Sequence, residues 1–458
     1  MRRPKLTGIL LLLLSTLARG DDLATKIETL IQEQLPQASV GILVKDAETG
    51  KTVYSRNAKK LLAPASSIKL LTAAAALIYL KPDYKFQTTL SKKNNDIYLT
   101  FTGAPSLTIE QLSELLSHLK NQTIQGNFII DASKSKPPYY PDGTSYDDLG
   151  WYYSAPDTAI ILDENMAAYD FISNKKIGSV ITIKSRTPDK RITIINDVEV
   201  VSVAYAKKHC NLNIEIKPAN TLHLYGCLGQ YKDPKYMRLA VPDPFLLAKN
   251  LIIQKLIKHH IQLKGKVIFG KTPEDAQPIA SQLSDDLVKL ITHMLLESDN
   301  IYAGTLTKEL GYALTGDGTY KQGAFAIKKI LSKHAKLDFK QIKLADGIGT
   351  RYNLTTPEQF VNLLSFLYAN MQMREIFIQA LPQMGVTGTL ADRMSGTALE
   401  KQVYAKTGSM QDMSSLSGYL YRAHKNPLIF SIIINNINKP VREAKSLEEN
   451  ILLVLNEH

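Results

Sequence analysis

The chain is 458 residues long and holds only two cysteines and one tryptophan. Two cysteines are too few for a disulfide-stapled scaffold. Their surroundings offer only His209 and His223 as further ligands, at a spacing that fits no common zinc pattern, so no metal is expected. Beyond the first twenty residues no run of about 18 uninterrupted apolar residues occurs, which excludes a membrane-spanning helix there. Internal repeats and low-complexity stretches are also lacking. What is present is globular: 44% of the residues are hydrophobic and 21% charged, and the length suggests about two to three domains.

The first twenty residues differ from the rest. Arg2, Arg3 and Lys5 form a basic start, Leu6–Leu17 is a short apolar run, and Ala18-Arg19-Gly20 places small residues before Asp21. This reads as a secretory signal peptide over residues 1–20, because the apolar run is too short to span a bilayer. The expected location is the periplasm or the cell envelope, with no stable membrane span after cleavage. The net charge is +12, of which Arg2, Arg3, Lys5 and Arg19 carry four, leaving +8 beyond the leader. An exported basic protein meets anionic wall polymer or membrane headgroups rather than nucleic acid. Oligomeric state is not legible.

Cys210 and Cys227 flank two alternating runs, Asn211–Lys217 and Thr221–Tyr225, joined by Pro218-Ala219-Asn220. A hairpin there brings the two cysteines together, and in an oxidising compartment they would form one structural disulfide worth roughly 3 kcal/mol.

The pattern along the chain divides it. Leu23–Leu35 has helical periodicity, Ala38–Val44 and Lys51–Ser55 form a hairpin, and Pro64-Ala65-Ser66 opens an Ala/Leu-rich helix to about Leu80. From about Phe86 to Ile268 short strands dominate, with Val180–Ile195 and Val198–Leu228 reading as an all-β unit. A helix over Pro242–Ile261 and a strand over Gln262–Gly270 follow. Helices resume at Asp285–Leu296 behind a Ser284 cap, then Ile301–Leu314, Gly323–His334 and Pro357–Ala369. Strands Leu416–Arg422 and Leu428–Asn435 precede a last helix, Val441–Leu455. The two ends share one character, helix plus antiparallel strand, and the β-rich middle reads as an insertion. The fold class expected is α/β (α+β): an antiparallel sheet flanked by helices and built from both chain ends.

Three short motifs carry chemistry: Ser66-Ser67-Ile68-Lys69, Ser298-Asp299-Asn300 and Lys406-Thr407-Gly408. They match, in order, the S-x-x-K, S-D-N and K-T-G set of penicillin-binding proteins and serine β-lactamases. The first alone is weak, since Ser117…Lys120, Ser133…Lys136 and Ser173…Lys176 fit it too. Ser66, however, sits at a helix start with Lys69 one turn along the same face. A serine hydroxyl needs a base at neutral pH, and a lysine serves only if burial or nearby positive charge lowers its pKa. Lys406 can supply that charge. The sequence leaves a Ser-His-Asp triad open, but His293, the only histidine near a motif, lies inside an apolar helix and fits a packing role better. In the resulting reading Ser66 is the nucleophile, Lys69 the base, Ser298 a proton relay to the leaving amine, and Asn300 a holder of the substrate amide or of Lys69. Lys406 and Thr407 suit a terminal carboxylate, Gly408 permits close approach, and the N–H groups of Ser66 and Ser409 form the oxyanion hole.

On these motifs the chain resembles the low-molecular-mass class C penicillin-binding proteins of the penicillin-binding protein 4 type, which are D-alanyl-D-alanine carboxypeptidases and endopeptidases. Pro64-Ala65-Ser66-Ser67-Ile68-Lys69, Ser298-Asp299-Asn300-Ile301-Tyr302-Ala303 and Ala405-Lys406-Thr407-Gly408-Ser409 carry the resemblance, with Leu381-Pro382, Gly388-Thr389-Leu390, Asp148-Leu149 and Tyr153-Ser154-Ala155-Pro156 between them. The resemblance implies a β-lactamase/transpeptidase-like domain over 21–85 and 281–458, an inserted domain II over 86–165 and 237–280, and a domain III over 166–236 nested within it. It implies peptidoglycan stem peptides as substrates, β-lactam antibiotics as covalent inhibitors, and no cofactor. It also implies that Asp148 and Arg351 meet the amine and carboxylate of a zwitterionic side chain such as that of diaminopimelate, with Gln411 nearby. The chain departs from the family's D-G-S-G-L-S-R loop: it reads Asp346-Gly347-Ile348-Gly349-Thr350-Arg351, one residue shorter and with Ile348 at the first serine. A serine β-lactamase and a non-catalytic wall-binding scaffold are the competing readings. The long insertion and the absence of a clear omega-loop glutamate motif speak against the first, and the intact motifs against the second.

Overall fold

A computed structural model describes residues 9–340 and 342–458, with side chains from Asp22 onward. The leader expected over residues 1–20 lies outside the residues described with side chains. Among the described residues no helix is long and apolar enough to cross a membrane. The chain divides into two compact units: Met1–Tyr79 with Ile291–Ser298 and Ile327–His458, and Leu80–Leu290 with Asp299–Ala326.

The first unit is built on a five-stranded antiparallel sheet in the order Val403–Met410, Met413–Arg422, Lys425–Asn435, Ser39–Asp46, Thr52–Arg56. The two chain ends meet in its middle, where Ser39 pairs with Asn435 and Asp46 with Leu428. Side chains alternate across the pleat. Val40, Ile42, Val44, Leu428, Phe430, Ile432 and Ile434 turn to one face, where Leu23, Ile27 and Ile31 of the helix Ile9–Gln34 meet them together with Leu447, Ile451 and Leu455 of the helix Val441–Glu457. The spacing of four puts each helix's apolar residues on one stripe, and each such side chain contributes roughly 1.5–3 kcal/mol on burial. On the opposite face Tyr419 lies against Tyr368 of the helix Pro357–Ala369 and donates its hydroxyl to Leu364 O at 2.9 Å. That helix has the expected bounds because its start is marked twice: Pro357 occupies the first turn and Thr356 Oγ1 accepts from Gln359 N.

The second unit holds a five-stranded sheet in the order Val267–Phe269, Phe128–Asp131, Asp96–Thr100, Gln87–Lys93, Gln277–Leu283, and two three-stranded sheets. The helix over Pro244–Lys258 is capped by Asp243, whose side chain accepts from Leu246 N at 2.9 Å. Three local expectations change here. The all-β reading of Val198–Leu228 is broken by a short helix, Val203–His209, because Ser202 caps Tyr205 N. The strand expected over Gln262–Gly270 splits into Gln262–Leu263 and Val267–Phe269, with Gly265 so close to Gly126 that a Cβ would lie 2.3 Å from its carbonyl oxygen. The helix expected from Asp285 begins at Leu287, since Asp286 caps Lys289 N and Ser284 Oγ instead accepts from Phe86 N.

Cys210 and Cys227 are joined by a disulfide with a Cα–Cα distance of 5.4 Å, at the open end of the strand pair Leu212–Lys217 and Thr221–Gly229. A second fixed point of this unit is Lys308, buried on the helix Asn300–Thr315. Its Nζ donates to Asp157 O at 2.8 Å, Pro138 O at 3.0 Å, Lys136 O at 3.1 Å and Ser135 Oγ at 3.2 Å. Burial lowers this ammonium to about 8, against the opposing pull of Asp157.

Candidate active site

The helix expected to open at Pro64-Ala65-Ser66 does so through a 3-10 turn, Ala65–Ile68, that passes into an α-helix over Lys69–Tyr79. Ala65 has φ +47°, a left-handed conformation that costs a non-glycine residue about 1–3 kcal/mol. The next residue, Ser66, is half-buried, and Lys69 Nζ lies 2.9 Å from its Oγ. Lys69 is fully buried.

Two other segments close on this turn. The loop Asp346–Asn353 supplies Ile348 O, which accepts from Lys69 Nζ at 2.9 Å, and Gly347 O, which accepts from Thr72 Oγ1 at 2.7 Å. The shortened loop is held from within. Buried Asp346 accepts from Ile348 N at 2.8 Å and Gly349 N at 2.7 Å through Oδ1, and from Asn353 Nδ2 at 2.9 Å through Oδ2. Gly349, at φ +107°, is required there: a Cβ would lie 2.1 Å from Ala65 O. The Ile348 side chain is buried, and only its carbonyl faces the lysine.

The third motif lies on the edge strand Val403–Met410. A Cβ on Gly408 would lie 2.4 Å from Pro64 O and 3.0 Å from Ser66 N, so only glycine lets this strand reach the turn that carries Ser66. Ser415 Oγ, on the adjoining strand, donates to Pro64 O at 2.6 Å and lies 2.7 Å from Ser67 Oγ. Ala405 N donates to Pro382 O at 3.0 Å, and Met384 N donates to Val403 O at 2.9 Å. Odd-numbered residues of this strand therefore turn their backbone groups outward, and by the same alternation the N–H groups of Thr407 and Ser409 face the sheet edge. Thr407 Oγ1 is 2.7 Å from Thr389 Oγ1.

Lys406 points the other way and is fully buried. Its Nζ donates to Ser298 Oγ at 2.8 Å and to Thr407 O at 2.9 Å. Burial, and after it the charge of Lys69, push this ammonium well below its usual range. Ser298 is itself left-handed, at φ +57°. The first unit thus brings together Ser66, Lys69, Ser298, Lys406, Thr407 and Gly408, with Ser409 exposed on the same strand and Gln411 and Arg351 exposed on loops.

Asn300 and Asp148 belong to the second unit. Asn300 opens the helix Asn300–Thr315, behind an Asp299 cap on Tyr302 N. Its Nδ2 donates to Tyr153 O at 2.6 Å, and Tyr153 OH donates to Asp148 Oδ1 at 3.0 Å, so one tyrosine connects the two. Sequence reasoning gave no part to Tyr153, Thr72, Asp346, Asn353, Ser415 or Thr389. The Asp-Gly start of the 346–353 loop is a turn signal that could have marked Asp346, whereas contacts made through backbone carbonyls leave no such trace.

The sheet, its flanking helices and the serine–lysine turn define a β-lactamase/transpeptidase-like serine enzyme. The model of the D-Ala-D-Ala carboxypeptidase 3 (S13) family matches residues 23–454, and the chain belongs to that family, as a serine-type carboxypeptidase. It is 28% identical over 434 residues to the D-alanyl-D-alanine carboxypeptidase DacB of Haemophilus influenzae, covering 91% of this chain and 89% of that one. The crystal structure of penicillin binding protein 4 (dacB) from Haemophilus influenzae matches with a TM-score of 0.85 at 26% identity, over 94% of this chain and 99% of the other. The same protein complexed with a novel β-lactam matches with a TM-score of 0.79 at 26% identity, over 94% and 100%.

Proposed function

We propose that the chain hydrolyses D-alanyl-D-alanine and D-alanyl-diaminopimelate bonds of peptidoglycan stem peptides through an acyl-enzyme on Ser66. The observation that carries this reading is the 2.9 Å approach of buried Lys69 Nζ to Ser66 Oγ, in one unit with the 2.8 Å contact of Lys406 to Ser298. The mechanism takes Lys69 in its neutral form. In that state Lys69 takes the Ser66 proton as Oγ attacks the carbonyl carbon of the penultimate D-alanine. The N–H groups of Ser66 and Ser409 receive the oxyanion. Ser298 passes a proton to the leaving amine, resupplied along its contact with Lys406. Water then attacks the ester and releases Ser66.

Lys406, Thr407 and Gln411 suit the substrate's terminal carboxylate, and Asn300 its amide. Asp148 and Arg351 suit the amine and carboxylate of the diamino-acid side chain. β-Lactams would acylate Ser66 by the same attack, as the β-lactam complex of the Haemophilus influenzae relative supports. The leader reading places the enzyme in the periplasm or cell envelope after cleavage, with domains over 21–85 and 281–458, 86–165 and 237–280, and 166–236.

The test is incubation with a labelled penicillin, followed by intact mass and peptide mapping beside Ser66→Ala. A lasting adduct on Ser66, absent in the variant, supports the mechanism. Turnover of penicillin without an adduct makes the chain a β-lactamase, and no reaction from folded protein leaves the scaffold reading.

A further inference from the structure

Two stretches of the second unit hold lysines and no acidic residue. From Pro244 to Pro273 the chain has no aspartate or glutamate but six lysines, Lys249, Lys255, Lys258, Lys264, Lys266 and Lys271, together with His259 and His260. A second acid-free stretch, Leu115–Ile130, contributes Lys120 and His118. The fold lays the two side by side. Gln262 pairs with Thr123, Leu263 with Ile124 and Val267 with Phe128 in parallel register, and Asn121 N donates to His259 O at 3.2 Å. Lys258, Lys120 and Lys255 all act on His259, which puts three cations from two segments around one ring. Carboxylates at the borders are tied up: Asp131 holds Thr272 N at 2.7 Å, Asp243 holds Leu246 N at 2.9 Å, Asp96 holds Asn127 N, and Asp275 pairs with Lys93 at 2.6 Å, while Glu110 and Glu114 lie on the helix Ile109–Ser117. Glu274 follows at the margin of the stretch. The two stretches together hold seven lysines and no aspartate or glutamate.

The same surface is greasy. The outer stripe of the helix Pro244–Lys258 reads Asn250, Ile253, Gln254, Ile257, Lys258, and Ile257 is 70% exposed. Ile268 and Phe269 are exposed on opposite faces of the border strand Val267–Phe269, Phe269 against Phe245 of the helix. A soluble polyanion calls for cations alone. Lysines interleaved with exposed isoleucines fit an interface that is anionic at its surface and apolar just beneath.

We propose that this face docks the protein onto a bilayer containing acidic phospholipid, with the lysines at the headgroups and Ile257 inserted among the upper acyl chains. The surface is separate from Ser66 in sequence and does not depend on the proposed reaction. The experiment is co-sedimentation of the leader-processed chain, from Asp21, with vesicles of phosphatidylcholine and phosphatidylglycerol, and with phosphatidylcholine alone. Binding is expected only to the acidic vesicles and falls with salt. The variant K120Q/K255Q/K258Q is expected to lose about a hundredfold in partitioning, from roughly fivefold per lysine. Ile257→Ser weakens vesicle binding but not retention on a soluble polyanion such as dextran sulfate, while K207Q/K208Q binds vesicles like the parent. Circular dichroism and urea unfolding of each variant report that it is folded. Equal binding by the triple variant, or equal loss in K207Q/K208Q, would overturn the proposal. So would indifference to Ile257→Ser, which would assign the face to a soluble polyanion instead.

Discussion

Lys406 reaches across from its strand to place its Nζ 2.8 Å from the hydroxyl of Ser298, with no exposure to solvent. The two residues are 108 positions apart. Replacing Lys406 with methionine removes the proton link while keeping most of the volume. Penicillin acylation, followed as adduct mass against time, is expected to slow about 10²–10⁴-fold. Stability should move the other way, because the variant no longer buries an ammonium. Since the folded-state pKa of Lys406 is lowered, its penalty is complete at pH below that lowered value and fades as pH rises towards 10.5. The stability advantage of Lys406→Met in urea unfolding should shrink over the same rise.

Gly408→Ala tests the approach of the edge strand to the serine turn. A Cβ there meets Pro64 O at 2.4 Å, backbone that cannot swing aside, and Ser415 Oγ at 2.5 Å. The strand must retreat, carrying the Ser409 N–H away from Ser66. A loss of about 10²–10³-fold in acylation is expected, with about 1–3 kcal/mol of destabilisation from overpacking. Urea unfolding alongside the labelling assay separates the two.

Asp148 gives a substrate-selective prediction. Asp148→Asn keeps an acceptor for Tyr153 OH but removes the charge proposed to meet a substrate amine. The kcat/KM for a diaminopimelate-containing peptide should fall about 10–100-fold, and benzylpenicillin acylation should hold within about twofold, since that ligand lacks the amine. Equal loss on both would remove Asp148 from side-chain recognition.

Lys308 should reveal itself in pH dependence. Its folded-state value of about 8 lies below the ordinary 10.5, so between those limits the unfolded chain holds more protons and this group makes stability rise with pH. Lys308→Met removes that rise. At neutral pH it also leaves Ser135 Oγ and the carbonyls of Lys136, Pro138 and Asp157 without their donor, at a cost of about 3 kcal/mol. Urea unfolding of parent and variant across pH 8–10.5 reads both effects.

The Cys210–Cys227 bond closes a separation of 17 residues. Its replacement by two serines should lower the stability of the second unit by about 3 kcal/mol and leave penicillin acylation unchanged. Hydrogen exchange should show the loss first in the Leu212–Lys217 and Thr221–Gly229 strands.

The legible parts of this molecule were those written in side chains. The helix Pro357–Ala369 announced itself through Pro357 and Thr356, the cysteine hairpin through its alternation, and the three motifs through residue types that acyl transfer needs. The illegible parts are written in backbone. Ser284 looked like a helix cap because serine suits that place, but the strand beginning at Gln87 puts Phe86 N against its hydroxyl first. The 346–351 loop departs from the family's pattern by one residue and by Ile348, and side chains alone did not give its contacts. The loop contributes carbonyl oxygens to Lys69 and Thr72, and Asp346 gathers its N–H groups whatever side chain stands at 348. Tyr153 was legible only as part of the Tyr153–Pro156 stretch, and its tie to Asn300 left no trace because it runs through a main-chain oxygen.

The pairing of Ser39 with Asn435 also sets an order of events. The strand that carries Lys406 is hydrogen-bonded to Met413–Arg422, that strand to Lys425–Asn435, and only the last of these docks on the strand near the start of the chain. A ribosome that has delivered Ser66 and Lys69 has therefore delivered a helix with nothing to work against. Nearly the whole polypeptide must emerge before Ser66 acquires its surroundings. Contacts this distant in sequence form slowly. The serine–lysine turn and the strand of Lys406 thus meet only late in synthesis.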